Sequence, residues 1–123
     1  MSTALSFAVP PPGLHPHTDF ELAPVEGAAS LFTLRARDDA ELRLFLVDPA
    51  AVVDGYAPTI TDEQAAALEL QSADDALLLV VARPGEDGVT VNLMAPVVAN
   101  RATGAAAQVI LEGQDHPLRA PLG

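Results

Sequence analysis

Three histidines, 17 carboxylates and six arginines are the residues of this 123-residue chain best suited to chemistry; cysteine and lysine are absent. Without lysine there is no P-loop lysine and no Schiff base. Without cysteine there is no thiol nucleophile, no Cys-ligated zinc or iron–sulfur cluster, and no disulfide. His15 and His17 flank Pro16, which extends the tripeptide and turns the two imidazoles apart, so it reads as a solvated loop and not as a metal site. Ser2, Ser6, Ser30 and Ser72 stand in no Gly-x-Ser-x-Gly elbow. The paired carboxylates Asp38-Asp39, Asp74-Asp75 and Glu86-Asp87 each fall in a turn, where Asp suits the local geometry. None has the spacing of a calcium loop, and nothing singles one pair out as a catalytic dyad. No metal, no cofactor and no enzymatic activity are expected.

The charge narrows the partners. The net charge is -11, on a chain that is 50% hydrophobic and 4% aromatic. That hydrophobic content excludes charge-driven disorder. Nucleic-acid binding needs clustered cations; here six arginines are scattered among 17 carboxylates, so neither nucleic acid nor an anionic membrane surface is an expected partner. A basic protein would be steered in, although solubility explains the same charge. The acids are uneven: of the 17, only Glu112 and Asp115 lie beyond Val89. The N-terminus lacks a basic targeting region. The longest apolar run, Ala76 to Ala82, falls well short of the ~20 residues of a membrane span. A cytoplasmic protein is expected.

Alternation and turn residues place the elements. Leu5 to Val9, Phe20 to Leu22, Leu31 to Arg37 and Leu42 to Val47 read as strands, the last two forming a hairpin about Asp38-Asp39. Asp48-Pro49 suits the start of a short helical turn. A helix runs from Asp62 to about Glu69, with Thr61 as N-cap and Gln64 completing a capping box. Ala76 to Ala82 is apolar on both faces, as in a doubly covered central strand. Pro84 to Gly88 turns the chain into Val89 to Leu93, Pro96 interrupts, and Val97 to Ala99 and Gln108 to Leu111 follow, with an irregular tail from His116. The expected fold is mostly β: one domain over residues 1–123, a small antiparallel β-barrel or sandwich-like domain with one or two short helices. Asn92 and Asn100 bracket an apolar run. Strand asparagines are disfavoured, so either they bond local backbone beside Pro96 or they present amides on a recognition surface.

The stretch Asn92-Leu93-Met94-Ala95-Pro96-Val97-Val98-Ala99-Asn100, followed by Gln108-Val109-Ile110-Leu111 and Pro117-Leu118-Arg119, resembles the C-terminal signature of the FliW flagellar assembly factor family. Phe45-Leu46-Val47-Asp48-Pro49 and Asp54-Gly55-Tyr56 resemble that family's central strand, turn and tyrosine. Leu34-Arg35-Ala36 departs from the family's Leu-Gln-Ser, and His116 stands where an aromatic is usual. The resemblance implies a binding protein with two partners, the RNA-binding repressor CsrA and flagellin. Binding CsrA relieves repression of flagellin translation, and flagellin sequesters the antagonist in turn. Asn92, Met94, Pro96, Asn100, Gln108 and Arg119 are the expected partner-contact residues. Leu93, Ala95, Val97, Ile110 and Leu111 are expected in the core, and Pro49 and Tyr56 in turn and core roles. The alternative is a small-ligand-binding β-barrel, which requires a cavity of about 300–1,000 Å³ with a few convergent polar groups.

Overall fold

Side chains of a strand alternate between its two faces, and here that alternation builds a closed wall. The computed structural model describes residues 3–9, 14, 16–28, 30–39, 41–52, 56, 58, 60–86, 88–111 and 120–121. Its strands are β1 (Thr3–Phe7), β2 (Asp19–Pro24), β3 (Leu31–Ala36), β4 (Arg43–Val47), β5 (Ala76–Gly85), β6 (Gly88–Val91), β7 (Val97–Asn100), β8 (Ala105–Gln108) and β9 (Ala120–Pro121). Two short helices, α1 (Pro49–Val52) and α2 (Asp62–Ala67), lie between β4 and β5. The order β4-β3-β2-β1-β8-β7-β5 closes on itself because β4 also pairs with β5, giving a seven-stranded barrel. β6 and β9 extend from the far half of β5. Closure leaves those seven strands no continuous free edge.

The inward positions are apolar. Leu5 and Phe7 of β1, Phe20 and Leu22 of β2, Leu34 and Ala36 of β3, Leu46 of β4, Leu79 and Val81 of β5, Val97 and Ala99 of β7, and Ala106 of β8 form one buried cluster. Phe7 and Phe20 meet edge-to-face, ring centres 5.4 Å apart, the arrangement that the ring quadrupole favours. Burying each large side chain contributes about 1.5–3 kcal/mol. β5 is covered on both faces, as its composition predicts. Leu79 and Val81 face the barrel interior, while Val80 and Ala82 join Val47, Val91 and Leu93 in a second cluster outside it. A third cluster, of Leu68, Val98, Val109 and Leu111 with Ile60 and Leu70 against them, holds the α2 region on the outer wall.

Helix ends behave as their residues dictate. Asp48 Oδ1 accepts from the Ala50 amide at 3.0 Å at the start of α1. Thr61 and Gln64 form the reciprocal capping box of α2, at 2.9 and 3.1 Å. α2 ends in a Schellman motif, with the Leu70 amide donating to Ala65 and the Glu69 amide to Ala66. The left-handed position of that motif, usually glycine, is Glu69 at φ 58°.

Several boundaries shift by a residue or two from the sequence expectation, β1 among them, which runs Thr3–Phe7 where Leu5 to Val9 is expected, and three differences are larger. The strand expected at Gln108 to Leu111 lies instead at Ala105–Gln108. Alanines have little strand preference of their own, but Ala105 and Ala106 pair with Ser6 and Phe7 of β1, the parallel partnership that closes the barrel. In the expected irregular tail, Ala120 and Pro121 pair with Val91 and Thr90. β5 runs on through Pro84 to Gly85, where the sequence predicts a turn. No helix among the described residues is long and apolar enough to cross a membrane.

Candidate partner-binding surface

Pro96 has no amide hydrogen, so β7 cannot begin before it with a full ladder, and the chain from Asn92 to Ala95 must satisfy its polar groups otherwise. Asn92 does this locally: its Oδ1 accepts from the Met94 amide at 3.0 Å and the Ala95 amide at 3.1 Å. The Ala95 carbonyl accepts from Gln108 Nε2 at 3.0 Å. The Pro96 and Met94 carbonyls accept from the Val109 and Leu111 amides at 2.8 and 2.9 Å. The Leu93 carbonyl accepts from the Tyr56 hydroxyl at 2.6 Å. Burial pushes that hydroxyl up from 10.0 to about 12, because a phenolate would lose its hydration there.

Asn100 does similar work at the other end of β7. It is 4% exposed. Its Nδ2 donates to the Leu68 and Glu69 carbonyls beyond α2, at 2.9 and 3.2 Å. Its Oδ1 accepts from the Ala102 and Thr103 amides at 2.8 and 3.3 Å. Both bracketing asparagines thus bond local backbone, and Asn100 also links β7 to the end of α2.

The interior alternation continues beyond the buried core, within β4, β5 and β8 and past the ends of β1 and β8, and forms a mouth. Beyond Phe7 comes Val9, beyond Ala106 come Gln108 and Ile110, beyond Val81 comes Arg83, and before Leu46 comes Leu44. These residues, with Asn92 and Ala95, line a groove of about 610 Å³. Val9 is 74% and Ile110 62% exposed, the two large hydrophobic side chains that stand out in solvent among the described residues.

Of the six expected contact residues, Asn92 and Gln108 line this groove. Met94 is half-buried against the third cluster. Pro96 and Asn100 are buried, and Arg119 lies outside the described residues. Leu93, Val97 and Leu111 are core, as expected. Ile110, expected in the core, is not: β8 stops at Gln108, so Ile110 projects over the mouth between buried Val109 and Leu111. Val9, Arg83 and Ile110 are the residues that sequence reasoning did not select. Their signal was the period-two alternation, carried two residues beyond the end of β1 for Val9 and of β8 for Ile110, and continued within β5 for Arg83.

The chemistry considered at the outset finds turn roles. Asp39 Oδ1 accepts from the Glu41 amide, and Asp75 Oδ2 from the Gln71 and Ser72 amides. Among the described residues no group of three or more His, Asp or Glu side chains is placed to hold a metal ion; His15 and His116 lie outside them.

Comparison with known proteins agrees with this architecture. The family model described as FliW protein matches residues 1–122. The flagellar assembly factor FliW of Symbiobacterium thermophilum is 35% identical over 118 residues, 91% of this chain and 86% of its own. That of Geotalea uraniireducens is 35% identical over 104 residues, 83% of this chain; the match spans 64% of the relative, just under two-thirds of its length. A crystal structure of the flagellar assembly factor FliW superposes with a TM-score of 0.88 at 23% identity, over 96% of this chain and 84% of the other. At that identity the superposition speaks for the fold.

Proposed function

Because the chain belongs to the FliW family of flagellar assembly factors, we propose that it is a cytoplasmic regulator that binds a CsrA-type translational repressor and flagellin. The family match over residues 1–122 carries this reading. Charge gives it a physical cause. A repressor that holds RNA must be basic where it does so, and a chain of net charge -11 steers itself toward such a surface and disfavours RNA beside it. Flagellin made in excess occupies the same regulator and frees the repressor, which closes a feedback loop. In this reading no reaction is catalysed and residues 1–123 act as one FliW-like domain.

Asn92, Met94, Pro96, Asn100, Gln108 and Arg119 are proposed to lie in or beside the partner surface. Asn92 and Gln108 border it directly at the groove; buried Pro96 and Asn100 shape the backbone that presents it. The test is calorimetric titration of the full chain with CsrA and flagellin from the same genome. Binding to both at micromolar concentration or tighter is expected. Binding to neither overturns the assignment.

A further inference from the structure

We propose that the groove at the barrel mouth is a docking site for an apolar peptide segment that carries a carboxylate. The proposal rests on reading the chain as a binding protein and states the chemistry of what its groove takes. Two observations converge there. The large exposed hydrophobic side chains among the described residues, Val9 and Ile110, both line this one groove, although they are 101 positions apart in sequence. Exposed apolar side chains gathered at one concave place mark an interaction site, whereas scattered ones do not. They are gathered because β1 and β8 run parallel, so both chains leave the barrel at the same end.

Charge selects the occupant. The chain has 17 carboxylates and six arginines, yet the described lining residues include no carboxylate and one cation, Arg83. Gln108 and Asn92 supply amides beside it. An apolar groove whose described lining carries no acid and one guanidinium accepts a hydrophobic segment whose Asp, Glu or terminal carboxylate can meet Arg83. A lysine-rich segment would place its cation on that guanidinium and is disfavoured.

Selection from a random peptide library displayed on phage, against the immobilised full chain, tests this. Recovered peptides are then measured by fluorescence anisotropy on wild type, Ile110→Asp, Val9→Asp and Arg83→Glu. Ile110→Ser serves as a second variant should Ile110→Asp melt early by circular dichroism. The expected result is an apolar consensus containing Asp or Glu. Ile110→Asp and Val9→Asp should weaken binding at least tenfold. Arg83→Glu should do the same for acidic peptides and not for their Asp→Lys counterparts. No enrichment, a basic consensus, or peptides indifferent to Ile110 and Arg83 overturn the proposal, whatever the CsrA and flagellin titrations show. Self-association abolished by Ile110→Asp in sedimentation assigns the groove to a second copy of the chain and also overturns it. Failed titrations with the peptide result intact overturn the partner assignment alone.

Discussion

The Asn100 side chain donates to the Leu68 carbonyl at 2.9 Å across 32 positions of sequence. It joins the end of α2 to the turn between β7 and β8. α2 has only six residues and buries none of them, so it is held from its ends: the capping box in front, and Leu68, Leu70 and Asn100 behind. Asn100→Ala leaves two carbonyls and two amides without this partner. We expect a loss of about 2–4 kcal/mol in urea-unfolding free energy, since each buried unsatisfied group costs about 1–3 kcal/mol and some will find water. Asn100→Asp keeps the acceptor, loses the donor, and should cost at least as much at neutral pH.

Gly104 tests barrel closure. It sits at φ +81°, and a Cβ there would lie 2.6 Å from the Ala4 carbonyl oxygen, beside the bond from the Ser6 amide to the Gly104 carbonyl at 2.8 Å. Gly104→Ala should therefore cost about 3 kcal/mol or more, strain and displaced backbone together. Gly27 has a similar φ of +84° with open space around it. Gly27→Ala should cost only the conformational part, about 1 kcal/mol. Equal losses in thermal denaturation would show that contact with β1 does not matter.

Glu69→Gly should stabilise. Glu69 is the non-glycine residue found at positive φ among the described residues, and a left-handed L-residue costs about 1–2 kcal/mol. Part of the relief is lost to the greater freedom of glycine in the unfolded chain, so a net gain of about 0.5–1 kcal/mol is expected. The urea midpoint measures it directly.

Tyr56 predicts alkaline behaviour. Its hydroxyl titrates near 10.0 in the unfolded chain and near 12 when folded. The folded state therefore holds its proton longer, and the unfolded state binds fewer protons between those values. Stability from this group is complete below pH 10 and falls as pH rises from 10 toward 12. Thermal midpoints across that range should decline more steeply for wild type than for Tyr56→Phe. At pH 7 the Phe variant should lose about 1 kcal/mol, for the bond to the Leu93 carbonyl.

Association with CsrA should slow with salt. Steering by a net charge of -11 acts over distances that 0.15 M salt screens to about 8 Å. Stopped-flow on-rates should fall as salt rises, with dissociation changing less. A flat on-rate would remove electrostatic steering from the proposed mechanism.

By itself, the sequence determined what is local or periodic. Alternation placed strands at Phe20 to Leu22 and Leu42 to Val47. The doubly apolar run Ala76 to Ala82 announced a strand covered on both faces, and Thr61 with Gln64 fixed the start of α2. Composition removed thiol and lysine chemistry and argued against nucleic acid as a direct partner, and the Asn92 to Asn100 stretch carried the family resemblance. Only the tertiary structure decided which alanines become a strand. Ala105 to Ala107 have no strong preference, and it was the Gly104 turn and the parallel pairing with β1 that put them in the barrel. The same pairing decided the groove. Val9 and Ile110 look like core residues in sequence because each continues an apolar pattern, but alternation says only which face a side chain takes, not where the wall ends. That end is set by partner strands distant in the chain, and at the mouth it left two apolar side chains and Arg83 facing solvent.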